Sequence, residues 1–157
     1  MTELDRQPDG RRTLVVILSP GDELVATITG IASEQGISAA GLTAIGAFER
    51  VTLGYFQWDT RSYRHNDINE QVELASLIGN LARHEDGSHR LHAHGVVGTA
   101  SGQALAGHIL EAHVRPTCEV IIEESPAHLV RRHDEASGLA LISLDQTREE
   151  RTSPAGG

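Results

Sequence analysis

Three histidines in one short segment have the residue type and spacing of a metal site. One residue separates His92 from His94, so on a β-strand both side chains lie on the same face while Ala93 faces the other. Ser101-Gly102 then indicates a turn, and a strand returning from it would place His108 beside the first two. Three imidazoles on a rigid sheet face suit zinc or another late first-row divalent metal, with a further position open for water or a ligand.

The same spacing has an ordinary alternative, because pairs of histidines two residues apart are common on strands. His92 and His94 would then lie on a solvated or hydrogen-bonded strand face and bind nothing. His89 and His113, at the two ends of the segment, are peripheral to the predicted set. Spacing also does not separate zinc from nickel, cobalt or iron.

Two further residues are candidates for chemistry near such a site. Glu73 is a carboxylate within the apolar segment Gln71–Asn80, where it is either paired on a solvent face or retained as a general base or as a partner of a metal ligand. Arg131 lies three residues before Asp134, and the simplest interpretation is a surface ion pair. If the protein is an enzyme, Arg131 could instead anchor an anionic substrate.

Composition limits the classes of partner. The chain has 157 residues and a formal net charge of −9, it contains no lysine, and its arginines form no basic stripe. Binding to a nucleic-acid backbone needs clustered cationic side chains, so the balance favours a small molecule or a protein over DNA. The length fits one domain with a real core.

The cysteine and hydropathy patterns predict a cytoplasmic protein. Cys118 is the single cysteine, it lies in an apolar run, and it is expected to be a packed structural thiol. No apolar run approaches the length of a membrane span, and the first residues lack the order of a secretory signal.

The elements that must position these residues can be predicted from hydrophobic periodicity and breakers. We expect a loose tail over 1–11, a single domain over 12–145 and a disordered tail over 146–157. Within the domain we expect one helix, opened by Asp22 and closed by Gly36. The predicted strands are 13–19, two strands joined around 46–48 within 37–58, an edge strand within 59–69, 71–80, the histidine-rich strand, 117–123 after a break at Pro116, and 139–144.

The order of these features resembles the plants-and-prokaryotes-conserved (PPC) domain, over nearly all of residues 13–144. This domain is found alone in bacterial and archaeal proteins and beside AT-hooks in plant nuclear proteins. The motifs that carry the resemblance are Leu18-Ser19-Pro20-Gly21-Asp22, Ala44-Ile45-Gly46-Ala47, Leu53-Gly54-Tyr55, Glu73–Asn80, His92-Ala93-His94, Gly102–His108 and Arg131-x-x-Asp134-x-x-Ser137-Gly138-Leu139.

The resemblance implies an α/β (α+β) domain with a mostly antiparallel β-sheet packed by one principal helix, assembled as a homotrimer. In prokaryotic members it also implies a metal, usually zinc, whose ligands here would be His92, His94 and His108. This chain departs from the usual Gly-Gly-His motif because Ala106 stands at the first glycine.

Two functional hypotheses follow. In the first, the protein is a trimeric zinc-binding protein, and it could be an enzyme for a small polar molecule, with Glu73 and Arg131 as its further catalytic residues. In the second, it is a non-enzymatic DNA-binding or regulatory module, as similarity to the plant proteins suggests. The Arg-Gly-Arg-Pro core of an AT-hook is absent, which removes the main physical basis for DNA binding.

Overall fold

β-Strands make up most of the fold, and one helix packs against them, which confirms the predicted class. The computed structural model describes residues 1–125 and 129–143. The elements are β1 (Thr2–Arg6), β2 (Arg12–Leu18), α1 (Leu24–Gln35), β3 (Ala39–Gln57), β4 (Ser62–Ile68), β5 (Val72–His84), β6 (His89–Gly98), β7 (Ala104–Glu124), β8 (Val130–His133) and β9 (Ala140–Ser143).

Four of the strands form a closed ring. β3 pairs with β5, β5 with β6, β6 with β7, and β7 returns to pair with β3, in each case antiparallel. The other strands extend this ring: β1 and β2 follow the second half of β7, β4 pairs with β3, and β8 joins β5 in parallel. The inner face of this ring carries buried apolar side chains, and the outer face is free to display polar ones.

The single helix is fixed at both ends. Its N-cap is Glu23, whose carboxylate accepts hydrogen bonds from the backbone amides of Val25 and Ala26 and also from that of Ala112 on β7. Asp22, the expected cap, instead accepts from the amide of Ser19. The helix ends at Gly36 in the left-handed conformation, as the sequence predicts.

β3 is one strand of 19 residues, so the prediction of two strands joined around residues 46–48 was wrong. The pairing registers shift beside Gly46 on both sides, which bends the strand without ending it. A side chain at Gly46 would collide with the carbonyl oxygen of Thr117 and would lie 2.6 Å from Cα of Cys118. The glycine therefore permits a close backbone approach between β3 and β7.

β7 is also longer than predicted, because Pro116 lies inside it and does not end it. Between the pairs Gly46–Cys118 and Phe48–Val114, β7 has three residues where β3 has one. This irregularity removes the need for a ladder hydrogen bond from Pro116, which has no amide proton.

The expected loose tail over residues 1–11 is corrected in part. Thr2–Arg6 forms β1 and pairs with β2. All five side chains of β1 are exposed, so no hydrophobic alternation marks it in the sequence. The predicted tail 146–157 and the end of the predicted closing strand, Leu144, lie outside the described residues.

The hydrophobic core lies between the helix and the inner face of the ring. It contains Leu24, Ile28 and Ala32 of α1, and Phe48 at the centre of β3, all fully buried. Cys118 is buried with them, which confirms its prediction as a packed thiol. Within the described residues, no helix has the length and hydropathy needed to cross a membrane.

Candidate metal centre

A β-hairpin formed by β6 and β7 positions the three histidines. His94 and His108 are directly paired across the two strands, and His92 precedes His94 by two residues. Ala93 is 1% exposed and faces the core, so the predicted alternation is confirmed. In the connecting turn Gly102 has φ of 81° and donates to the carbonyl oxygen of Thr99. The sequence therefore located both strands and the turn of this hairpin.

The three imidazoles, hereafter the imidazole cluster, are close enough to share one ion. One ligand atom from each of His92, His94 and His108 lies within 4.8 Å of the other two. The Nε2 atoms of His92 and His94 are 3.3 Å apart. Two ligands of a tetrahedral zinc ion with Zn–N bonds near 2.05 Å are separated by about 3.3 Å, so this spacing fits the metal.

Burial and neighbouring charges keep two of these rings neutral. Burial, with repulsion from the other two histidines and from Arg131, lowers the pKa of His108 to about 4. The pKa of His92 is also lowered, chiefly by burial and next by Arg131. The neutral imidazole is the form that binds a metal, so His92 and His108 can bind an ion without first losing a proton. The Nδ1 atom of His108 is buried and has no hydrogen-bond partner.

Ala106 does not disturb the hairpin. It continues the regular pairing of β7 opposite Val96, and the structure gives it no positive φ. The usual glycine is therefore not needed at this position. Gly107 is constrained instead, because a Cβ there would lie 3.0 Å from the carbonyl oxygen of Gly54 and 3.1 Å from Cβ of Leu53.

Tyr63 on β4 contacts the imidazole cluster, although no pattern in the sequence marked it as a site residue. Its ring stacks on that of His108, with centroids 4.8 Å apart and planes at 25°. Gly54 lies between them in the sheet, paired with His108 on one side and with His65 on the other. Because Gly54 has no side chain, the tyrosine ring can occupy this space. A glycine within a strand was the signal that a close approach occurs here.

Arg131 lies beside the imidazole cluster, and the predicted surface ion pair with Asp134 was wrong. The side chain is 5% exposed and donates to Oδ1 of Asn80 at 2.5 Å and to the carbonyl oxygen of Ala140 at 3.0 Å. Asp134 instead accepts from the amide and hydroxyl of Ser137. Asn80 is paired with His92 across β5 and β6, so it connects the arginine to the histidine row.

A shallow cavity of about 200 Å³, hereafter the histidine-side cavity, opens beside these residues. Its polar lining comes from five side chains and its apolar lining from the neighbouring leucines. The polar residues are Tyr63, Arg90, His92, His108 and Arg131. The imidazole cluster is thus accessible to a small molecule from this side.

The chain does not bring Glu73 to the imidazole cluster. Glu73 pairs with Gly98 at the far end of β6, four residues beyond His94, and with Ala47 on β3. Its side chain is exposed and lines a different cavity, beside Pro116 and Glu119. The expected role of Glu73 as a general base beside the metal ligands is therefore corrected. The sequence placed it on the right strand, but the pairing register carries it away from the site.

Comparison with known proteins assigns this chain and its fold to a family. The sequence pattern of the Plants and Prokaryotes Conserved (PCC) domain, also abbreviated PPC, matches residues 6–126. The chain belongs to this family, and the resemblance seen in the sequence is confirmed. Among curated protein sequences, none matches this chain significantly.

Solved structures of prokaryotic proteins share the fold. A PPC protein from Pyrococcus horikoshii has a TM-score of 0.79 and 29% identity, over 84% of this chain and 91% of that one. A metal-containing protein from Archaeoglobus fulgidus has a TM-score of 0.77 and 31% identity, over 83% and 92%. A protein from Bacteroides thetaiotaomicron named as a candidate DNA-binding protein has a TM-score of 0.79 and 28% identity, over 83% and 91%.

Proposed function

We propose that this protein binds one zinc ion, or another late first-row divalent ion, through His92, His94 and His108. The main observation in support is that the three ligand atoms lie within 4.8 Å of one another on one β-hairpin. The relative from Archaeoglobus fulgidus, named as metal-containing, supports the proposal. A zinc ion with three protein ligands supplies Lewis-acid chemistry and can lower the pKa of bound water to about 7.

We further propose that the site serves a small polar molecule, on which the protein acts as a hydrolase or lyase. The chain's own residues support entry and orientation. The histidine-side cavity gives access to His92 and His108, and Arg131 and Tyr63 line the same space. None of the described residues lining that cavity is a carboxylate, so a general base within the chain is not part of this proposal.

Metal analysis of the untagged protein tests the site. We expect one zinc per chain after dialysis against zinc, and loss of it in His92→Ala. His65→Ala is the matched control. His65 is exposed on β4 and pairs with Gly54, which in turn pairs with His108, but His65 is not part of the imidazole cluster. Equal zinc content in the wild type and both variants would show that the ion binds elsewhere.

We also propose that the chain assembles as a homotrimer. Large apolar side chains on the outer face of the sheet support self-association: Ile45 is 58% exposed, Ile78 68% and Ile121 43%. Ile78 and Ile121 are both paired with Thr43, so the two isoleucines lie on either side of Thr43 on the same face of the sheet. Exposed apolar patches of this kind mark interaction surfaces.

The mass in solution tests the assembly. Three chains of 16.9 kDa give about 51 kDa by light scattering. Ile45→Glu is expected to produce monomers, because it places a charge in the apolar face. Leu4→Glu, at a residue 60% exposed on β1, is the matched control and should leave the mass unchanged. A wild-type mass of 17 kDa would refute the proposal.

A DNA-binding or regulatory module is the second candidate function. The name of the relative from Bacteroides thetaiotaomicron favours it, whereas the net charge of −9 opposes it. Binding to duplex DNA that weakens steeply as salt rises would support this function. Absence of binding at low salt would remove it.

A further inference from the structure

Arg131 is a buried cation without a counter-charge in the described part of the chain. Its hydrogen bonds go to two neutral acceptors, the amide oxygen of Asn80 and the carbonyl oxygen of Ala140. Its Nε is buried and has no partner. A buried charge is costly unless an opposite charge faces it. The missing negative charge is therefore a feature of the site that the fold itself does not explain.

The cavity beside this arginine favours an anion. Arg90 and Arg131 both line the histidine-side cavity, and no described lining residue carries a carboxylate. Tyr63 also lines the cavity, and its hydroxyl is a further hydrogen-bond donor beside the two arginines. Cationic side chains that line a largely apolar recess concentrate the local field and attract an anion.

The rest of the lining is apolar. Leu91, Leu139 and Leu141 form this wall together with Ala140, and Leu141 is 44% exposed. A single exposed leucine means little, but several leucines that line one cavity give a ligand's carbon chain an apolar surface to cover. A cavity of about 200 Å³ limits that chain to a few carbon atoms.

We infer that the histidine-side cavity binds a small carboxylate with a short apolar chain, with Arg131 as its counter-charge and the leucine wall as the contact for its carbons. This inference rests on the proposed function in taking the cavity beside the metal ligands as the ligand site. It adds the charge and shape of the molecule that enters. Asn80 is a positioning residue, because it holds the guanidinium toward the cavity and does not line it.

Three probes separate charge from shape: isovalerate, its neutral amide isovaleramide, and acetate, which has the charge without the branched chain. Dissociation constants are measured by ligand-observed NMR on the zinc-loaded and on the metal-free protein. We expect isovalerate to bind about tenfold more tightly than the amide, since a charge-assisted hydrogen bond is lost. We expect a similar advantage of about tenfold over acetate from the buried carbons.

Variants assign these preferences to residues. Asn80→Asp keeps the side-chain size and supplies a built-in carboxylate to Arg131, so it should remove the preference for acid over amide while the protein stays folded. Arg131→Gln should do the same, and Arg132→Gln is its control on the same strand. Leu141→Ser should remove the preference for isovalerate over acetate. Leu105→Ser, at a residue 39% exposed outside the cavity, should not.

The outcomes are distinguishable from those of the metal proposal. If zinc binds but acid and amide bind equally to the wild type, the inference is overturned and the metal site stands. If zinc does not bind, the metal proposal fails, and the same comparison on the metal-free protein still decides the inference. A preference for acid that survives Asn80→Asp and Arg131→Gln would also overturn it, since the anion would then lie elsewhere.

Discussion

Replacement of Gly54 by alanine tests whether the packing around His108 sets the metal affinity. Gly54 is buried in β3 beside the imidazole cluster. An added Cβ would lie 2.7 Å from Cδ1 of Tyr63 and 3.1 Å from Cγ of Leu110. The first distance is too short for two carbon atoms, so the tyrosine ring must move. That ring is stacked on His108, and the stacking would be lost or displaced.

The size of the effect follows from these contacts. Overpacking of a buried position lowers the stability by about 1–3 kcal/mol. Replacement of glycine also reduces the conformational entropy of the unfolded chain, which offsets about 0.4–1 kcal/mol of that loss. We therefore expect the free energy of unfolding to fall by about 1–2 kcal/mol. An aromatic stacking pair contributes about 0.5–1.5 kcal/mol, so the zinc dissociation constant should rise about two- to tenfold.

Zinc competition with a chromophoric chelator measures the affinity, and urea unfolding of the metal-free protein measures the stability. Gly41→Ala is the control, because Gly41 lies on the same strand, is exposed, and a Cβ there meets nothing within 4 Å. The control should keep its zinc affinity and lose no stability. Wild-type zinc affinity in Gly54→Ala, or equal weakening in Gly41→Ala, would refute the reasoning.

Three other predictions concern the core and the sheet edge. Burial and the charge of Glu119 raise the pKa of Cys118 to about 11, so a thiol reagent at pH 8 should react with it only after urea unfolds the chain. The hydrogen bond from Arg12 lowers the pKa of Glu124 below 4.5, so the ion pair stabilises the fold at pH values above 4.5. This stabilisation is lost as the pH falls through the lowered pKa of Glu124. In acid titrations followed by circular dichroism, Glu124→Gln should therefore lack this loss of stability. Gly46→Ala should cost about 3 kcal/mol or more in urea unfolding, because its Cβ would meet the backbone of β7; wild-type stability would contradict the observed close approach.

Local patterns predicted the hairpin of the site well. The alternation of His92, Ala93 and His94 and the turn at Ser101-Gly102 are short-range signals, and the backbone geometry that they imply does not depend on the rest of the fold. The position of the third histidine followed because a hairpin returns over the strand that precedes it. His108 therefore falls opposite His94.

Register and burial could not be predicted in the same way. Glu73 was assigned to the correct strand, but its position opposite Gly98 depends on the pairing of β5 with β6, including a register shift between Leu74 and Ser76. Arg131 resembles any surface arginine in the sequence. Its burial follows from the parallel pairing of β8 with β5, a contact between segments far apart in the chain.

Breakers were given too much weight in the long strands. Gly46 and Pro116 each predicted an end, yet they lie nearly opposite each other in β3 and β7, where the pairing is irregular. Gly46 permits the close approach of β7 at the irregular pairing, and the irregular pairing spares Pro116 a ladder hydrogen bond that it cannot donate. This compensation is visible only when the two strands are aligned. A breaker in a single sequence therefore marks a disturbed ladder without showing that the strand stops.

Confinement of the three proposed metal ligands to one hairpin affects how the chain would fold. His92, His94 and His108 span a short stretch, and closing a short loop has a small entropic cost. A metal ion can therefore hold β6 and β7 together before the distant pairings of β3 with β5 and β7 form. Zinc bound this early would speed refolding and would change the unfolding rate little. The order in which this sheet assembles would depend on the metal supply at the time of synthesis.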